Sequence, residues 1–263
     1  MTKKICILVS VLFLTGLVSC LDMEEKIVIN KNSSGTYTMT LDMSKMIKLM
    51  KEMDQQNKEE TELPEKKDST VYLKSFVDTS TALTAKEKEM FREGSVRMRI
   101  DEESNEFIVS FYFPFKDIST LPELKSSYMA AIDKLGISKK LTPAESGLDE
   151  DKPVDMENNK NILSPSSEAF AFAAVPGKIS NTLVNKELFN NGIQNDSSLQ
   201  MIQQMSMMMG DMNYKTVIVL PKKVKEYKGN QTILSDDKKT VSFLTTLSDM
   251  LNRPEAAEYM VEY

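Results

Sequence analysis

Hydrophobic and polar residues alternate with a period of two over residues 24–30, which places Ile27 and Ile29 on one face, and again through Thr36-Tyr37-Thr38-Met39-Thr40-Leu41. Between them Lys31-Asn32-Ser33-Ser34-Gly35 supplies turn chemistry, so the stretch predicts a β-hairpin. The period then lengthens. Met43, Met46, Ile47, Met50 and Met53 share one face, with Lys45, Lys48, Lys51 and Glu52 elsewhere, the 3.6-residue signature of an amphipathic helix capped by Asp42 or Ser44. Residues 54–70 are polar and charged, with Pro64, and read as a loop or a frayed helix end. Residues 71–77 fit a strand or a short helix equally well. Thr84 opens a short helix through Phe91, with Glu87 completing a capping box and Gly94 ending it.

A second hairpin is predicted over residues 95–101 and 106–113. Its second strand, Glu106-Phe107-Ile108-Val109-Ser110-Phe111-Tyr112-Phe113, is almost continuously apolar, which predicts cover on both faces. Residues 117–135 follow as a helix with Leu124, Tyr128, Ala131, Ile132 and Leu135 on one side, closed by Gly136. The next stretch, 139–167, is poor in hydrophobic residues and carries Pro143, Pro153, Pro165 and the run Asp149-Glu150-Asp151; it reads as a linker or insertion. Residues 169–175 and 178–184 predict a third hairpin turning at Pro176-Gly177. Leu199, Ile202, Met205, Met208 and Met209 then mark an amphipathic helix. Residues 214–221 read as a buried strand, and 224–227, 231–234 and 240–246 as extended segments, with a turn at Asp236-Asp237-Lys238-Lys239. Ser248 is expected to cap one helical turn, and residues 258–263 to form a closing strand.

Hairpins separated by helices, without regular βαβ crossovers, place the fold in the α+β class: antiparallel β-hairpins packed with amphipathic helices. The expected organisation is an N-terminal α+β part over 20–136, a flexible linker or insertion over 137–166, and a C-terminal α+β part over 167–263, the two parts being one domain or two.

Residues 1–19 belong to a different pattern. Lys3 and Lys4 precede an uncharged apolar run over residues 5–18. As a helix of about 14 residues it spans roughly 21 Å, short of a bilayer core of about 30 Å, so a signal peptide is the better reading than a transmembrane helix. The run ends in Leu17-Val18-Ser19-Cys20, which resembles the lipobox of bacterial lipoproteins. The resemblance implies that the Cys20 thiol receives a diacylglycerol, that cleavage leaves Cys20 first, and that its amino group is acylated with a chain such as palmitate. Such chains contribute about 0.8 kcal/mol per buried CH2 and anchor stably when two or more are present. By the same resemblance Leu21, rather than aspartate, after the cysteine is compatible with passage to the outer membrane. The acidic residues Asp22, Glu24 and Glu25 are similar to surface-export tags and equally fit a solvated tether.

The ectodomain also resembles LppM-like lipoprotein domains. The turn Asn30-Lys31-Asn32-Ser33-Ser34-Gly35 with its hairpin and helix matches their opening, and Val217-Ile218-Val219-Leu220-Pro221, Val224 and the hairpin around Asp236 match their C-terminal half. Residues 143–165 depart from that pattern. The resemblance implies a membrane-tethered binding or envelope-maintenance protein and carries no catalytic motif.

Composition narrows the chemistry. Removing 19 residues from 263 leaves 244, enough for a real core, with 31 basic against 39 acidic residues and no basic cluster beyond Lys222-Lys223-x-Lys225, which argues against a nucleic-acid partner. Cys6 leaves with the signal and Cys20 is the lipidation site, so no disulfide or thiol chemistry is expected; histidine is absent, which removes the usual general base, the Ser-His-Asp triad and the commonest zinc ligand. The carboxylate runs Asp101-Glu102-Glu103, Asp149-Glu150-Asp151 and Asp236-Asp237 are contiguous and lie in turns. They have neither the spacing of a calcium loop nor a shared face for acid/base work.

Methionine is in excess, with nineteen in the chain. Core packing is its first reading; a flexible apolar groove formed by Met43, Met46, Met50, Met53, Met205 and Met209 is the second, and Cu(I) binding a distant third. No catalytic, cofactor-binding or metal site is expected. The expected function is a non-enzymatic binding or assembly role at the cell envelope, through a protein partner first and a lipid or other apolar ligand second. A hydrolase using carboxylates alone, as some glycosidases do, comes last.

Overall fold

The computed structural model describes residues 22–45, 48, 66–101, 103–137, 169–195 and 210–263. The first hairpin forms as the alternation predicts: β1 (Asp22–Ile29) pairs antiparallel with β2 (Gly35–Asp42), and the turn is closed by Asn30 N–H donating to the Ser34 carbonyl at 2.8 Å. Ser33 adopts a positive φ of 66° there, and Gly35 leaves room for the Phe115 ring and the Val28 carbonyl. β1 begins at Asp22, so the acidic residues past Cys20 are not a tether. Glu24 pairs with Lys215 at 2.9 Å and Glu25 points into the core.

Residues 71–77 are both elements in succession: β3 (Lys67–Tyr72) runs into α1 (Lys74–Thr79). α2 (Ala85–Phe91) carries the capping box, with Glu87 N–H donating to Thr84 Oγ1 at 3.2 Å and Thr84 N–H to Glu87 Oε2 at 2.8 Å. β4 (Ser95–Asp101) and β5 (Glu106–Phe115) form the second hairpin. Cover on both faces of β5 does not hold. Val109, Phe111, Phe113 and Phe115 are buried, but Tyr112 on the opposite face is 41% exposed. The apolar run conceals a plain period of two, because Ile108, Ser110, Tyr112 and Pro114 occupy the outer face.

After a 3-10 turn (Ile118–Thr120), α3 (Leu121–Lys134) lays Leu121, Leu124, Tyr128, Ala131 and Ile132 on the sheet, and Gly136 ends it with φ of 65°. Tyr128 packs among Tyr37, Phe111 and Phe113, ring centroids 5.6–5.9 Å apart. The third hairpin is β6 (Phe170–Val175) and β7 (Lys178–Leu183), turning at Gly177. A helix the alternation did not reveal follows, α4 (Lys186–Asn195), whose Phe189 meets Phe170 edge-on at 5.8 Å. Then come β8 (Asn213–Val219), β9 (Glu226–Gly229), β10 (Ile233–Leu234), β11 (Thr240–Thr246), α5 (Leu247–Asn252), a 3-10 turn (Pro254–Ala257) and β12 (Tyr259–Glu262). The cap of α5 is Thr246, which accepts from Asp249 N–H, rather than Ser248.

Two sheets result, and the fold is α+β. The larger runs β10-β11-β8-β1-β2-β5-β4-β3 and the smaller β6-β7-β12-β9. The hairpin pairings are antiparallel, but β1 and β8 lie parallel, in register from Asp22 opposite Asn213 to Val28 opposite Val219. That pairing departs from the all-hairpin expectation. It joins strands from the N-terminal and C-terminal parts into one sheet. The smaller sheet packs on the larger where Tyr259 stacks on Phe243 at 5.0 Å and 15°. The lipobox and the residues before it, nearly all of the predicted 137–166 linker and the predicted helix at 199–209 lie outside the described residues; Ile137 itself is fully buried.

Candidate functional site

In-register pairing across four strands sets the inner face of the larger sheet in rows. One row is Leu41, Met23, Tyr214 and Thr245; the next is Met39, Glu25, Thr216 and Phe243; the next is Tyr37, Ile27, Ile218 and Val241. Glu25 thus stands on the core face between Met23 and Ile27. Opposite it, Lys125 projects from α3, one turn from both Leu121 and Tyr128, with Nζ 2.7 Å from Glu25 Oε1 and 2.8 Å from Oε2. Thr216 Oγ1 donates to Oε2 at 3.4 Å, and Nζ also lies 4.5 Å over the Phe172 ring centroid. The pair is well removed from solvent, the side chains being 10% and 24% exposed.

Around this pair the two sheets and α3 leave a recess of about 400 Å³. Met23, Met39 and Tyr214 come from the larger sheet, Pro122 and Lys125 from α3, Phe170 and Phe172 from β6, Phe189 from α4 and Met250 from α5. An annex of about 110 Å³ continues from it, sharing Glu25, Lys125, Asn181 and Thr216 and adding Thr245, Glu258 and Tyr259 beside the apolar Phe243 and Leu244. The Thr245 hydroxyl has no hydrogen-bond partner; the Tyr259 hydroxyl faces Thr216 and the fully buried Tyr37 hydroxyl faces Glu25, neither at close hydrogen-bond geometry. Burial, with the Glu25 charge second, holds the Tyr259 and Tyr128 phenols well above the ordinary tyrosine range; Tyr37 is raised the same way. These phenols are neutral donors and acceptors at any physiological pH.

Chemically the site is a mainly apolar recess with one buried charge pair that cancels internally and a second, more exposed cation, Lys215, which is paired with Glu24. Its carboxylate is engaged by an ammonium, and the phenols are held protonated. Among the described residues no group of three or more Asp, Glu, Cys or His side chains could hold a metal ion, and no helix is long and apolar enough to cross a membrane.

Of the methionine groove read from the sequence, Met43 alone is among the described residues. Met43 packs half-buried against the core outside the recess, and Met46, Met50, Met53, Met205 and Met209 lie outside the described residues, as does Cys20. The methionines among the described residues that line the recess are Met23, Met39 and Met250. Glu25 and Lys125 were missed, although each leaves a signal: Glu25 keeps the period-two phase of Ile27 and Ile29, and Lys125 interrupts the apolar face of α3 four residues after Leu121.

No family model matches the sequence, and no curated protein is significantly similar to it. Among solved structures, the folded domain of LppM from Mycobacterium tuberculosis, determined by NMR, aligns over 95% of this chain and 91% of that one, with 7% identity and a TM-score of 0.33. That is a weak resemblance.

Proposed function

We propose that the protein is a lipoprotein of the cell envelope, anchored through Cys20, whose ectodomain binds an apolar ligand in the recess between its two sheets. The observation that carries this is the recess itself. Its volume is at the lower end of the range of ligand sites, about 300–1,000 Å³, and its lining is mainly apolar, with methionine and aromatic side chains prominent and several polar groups among them. Methionine linings adapt to flexible chains. Met23 lies three residues after Cys20, within about 11 Å along an extended chain, so the recess opens close to the anchor and to the bilayer from which an apolar ligand would come. The lipobox supports the anchor, and Leu21 supports an outer-membrane destination. The role is non-catalytic, because no histidine or free cysteine is available to the recess and its carboxylate is neutralised.

The test is native mass spectrometry of the full-length protein extracted from its membrane. The expected species begins at Cys20, carries two or three acyl chains covalently, and retains a further apolar molecule without a covalent bond. An unmodified Cys20 would remove the anchor. A lipidated protein that never retains a ligand, even with amphiphiles added, would remove the recess reading and return partner docking to first place.

A further inference from the structure

The annex gives the ligand a head as well as a tail. Thr245 and Tyr259 are 7% and 6% exposed and both line the annex; the Thr245 hydroxyl has no hydrogen-bond partner, and the Tyr259 hydroxyl, which faces Thr216, makes no close one. Buried polar atoms left without partners are costly, and native structures rarely keep them unless water or a ligand completes them. Thr216 stands in the same wall, with its hydroxyl on Glu25.

Charge decides what kind of head fits. Lys125, the only cation among the described residues that line the annex, is held by both oxygens of Glu25, and Glu258, whose Oε1 accepts from Leu183 N–H, adds a second carboxylate. A phosphate or carboxylate would meet two carboxylates and one engaged ammonium. A hydroxyl can donate and accept, and therefore satisfies Tyr259 and Thr245 whichever way each turns. A recess of about 400 Å³ has room for one chain rather than two.

We infer that the ligand is an uncharged single-chain amphiphile with a hydroxyl-bearing head of the monoacylglycerol class, its chain among Met23, Met39, Phe170 and Phe189 and its head hydrogen-bonded to Tyr259 and Thr245. This rests on the recess being a ligand site. The experiment uses the full chain in a bulky sugar-headed detergent. Native mass spectrometry then measures retention of 1-monooleoylglycerol, oleate, lyso-phosphatidylglycerol and the hydrocarbon octadecane by the wild type and by Tyr259→Phe and Thr245→Val. Both substitutions keep the side-chain shape. Monooleoylglycerol is expected to bind best, each variant to weaken it about tenfold, as loss of one buried hydrogen bond does, and octadecane to be unaffected. Equal monooleoylglycerol binding by wild type and variants would mean that the hydroxyls face only water and would overturn the head placement. Preference for the anionic lyso-phospholipid or for oleate would overturn the head chemistry while leaving the recess as a ligand site. No retention of any of the four, octadecane included, would sink the recess reading and the inference with it.

Discussion

Replacing Lys125 by Met removes the cation that lies 2.7–2.8 Å from both oxygens of Glu25 and leaves a carboxylate on the core face between Met23 and Ile27. At an effective dielectric of about 20 the gross attraction at this distance is about 6 kcal/mol, most of which offsets the cost of taking both charges out of water. Breaking such a pair from one side costs about 3–5 kcal/mol, because the surviving charge stays buried. Lys125 is a quarter exposed, so the lower end applies; its contact with Phe172 adds about 1 kcal/mol that Met recovers in part by packing. The expected loss is about 3 kcal/mol, read by urea unfolding of the full chain in detergent followed by far-UV circular dichroism. The double variant Glu25→Leu with Lys125→Met should return to wild-type stability or above it, since apolar replacement of a whole buried pair is often neutral or favourable. A loss under about 1 kcal/mol in the single variant, or a double variant as weak as the single one, would refute the account.

Three further outcomes follow from other parts of the fold. Glu87, held at about 2 first by Lys134 and then by the Thr84 backbone and hydroxyl, stabilises the folded state above the ordinary glutamate range of about 4.3; that contribution fades as pH falls to about 2, and Glu87→Gln should flatten the acid limb of a pH titration of stability in that window. Thr84→Ala, which removes the reciprocal cap of α2, should cost about 1 kcal/mol at pH 7, and a change under about 0.3 kcal/mol would mean the cap is idle. Gly35→Ala would drive a methyl into the Val28 carbonyl and the Phe115 ring, so a loss of about 3 kcal/mol or failure to fold is expected; a melting temperature within 2 °C of wild type would contradict the packing of the first turn, because about 1 kcal/mol shifts a domain of this size by roughly 2–4 °C.

The hairpins were legible because a strand with one buried face repeats every two residues: Ile27 and Ile29, Tyr37 and Met39, Val96 and Met98 declare their faces locally. The capping box of α2 and the Gly136 stop of α3 were legible for the same reason, since caps involve groups within four residues. β5 misled because an apolar residue can stand on an outer face, and Tyr112 does so at little cost. Residues 71–77 resisted assignment because two elements meet there within one window, and α4 escaped because its sequence is Asn-rich and its buried Phe189 stands between the exposed Leu188 and Asn190.

The site divides along the same line. By itself the sequence determined the α+β class, the hairpin turns, the capping box at Thr84 and the absence of histidine, all of them local or compositional facts. Only the tertiary structure decided that β1 pairs in parallel with a strand about 190 residues away, that Lys125 meets Glu25 across 100 residues, and that Thr245 and Tyr259 share one annex. Those contacts join residues whose local sequence contains no trace of one another. Their geometry comes from which sheet edge and helix face the chain can bury together, an energy that depends on the whole packed surface rather than on any stretch of it.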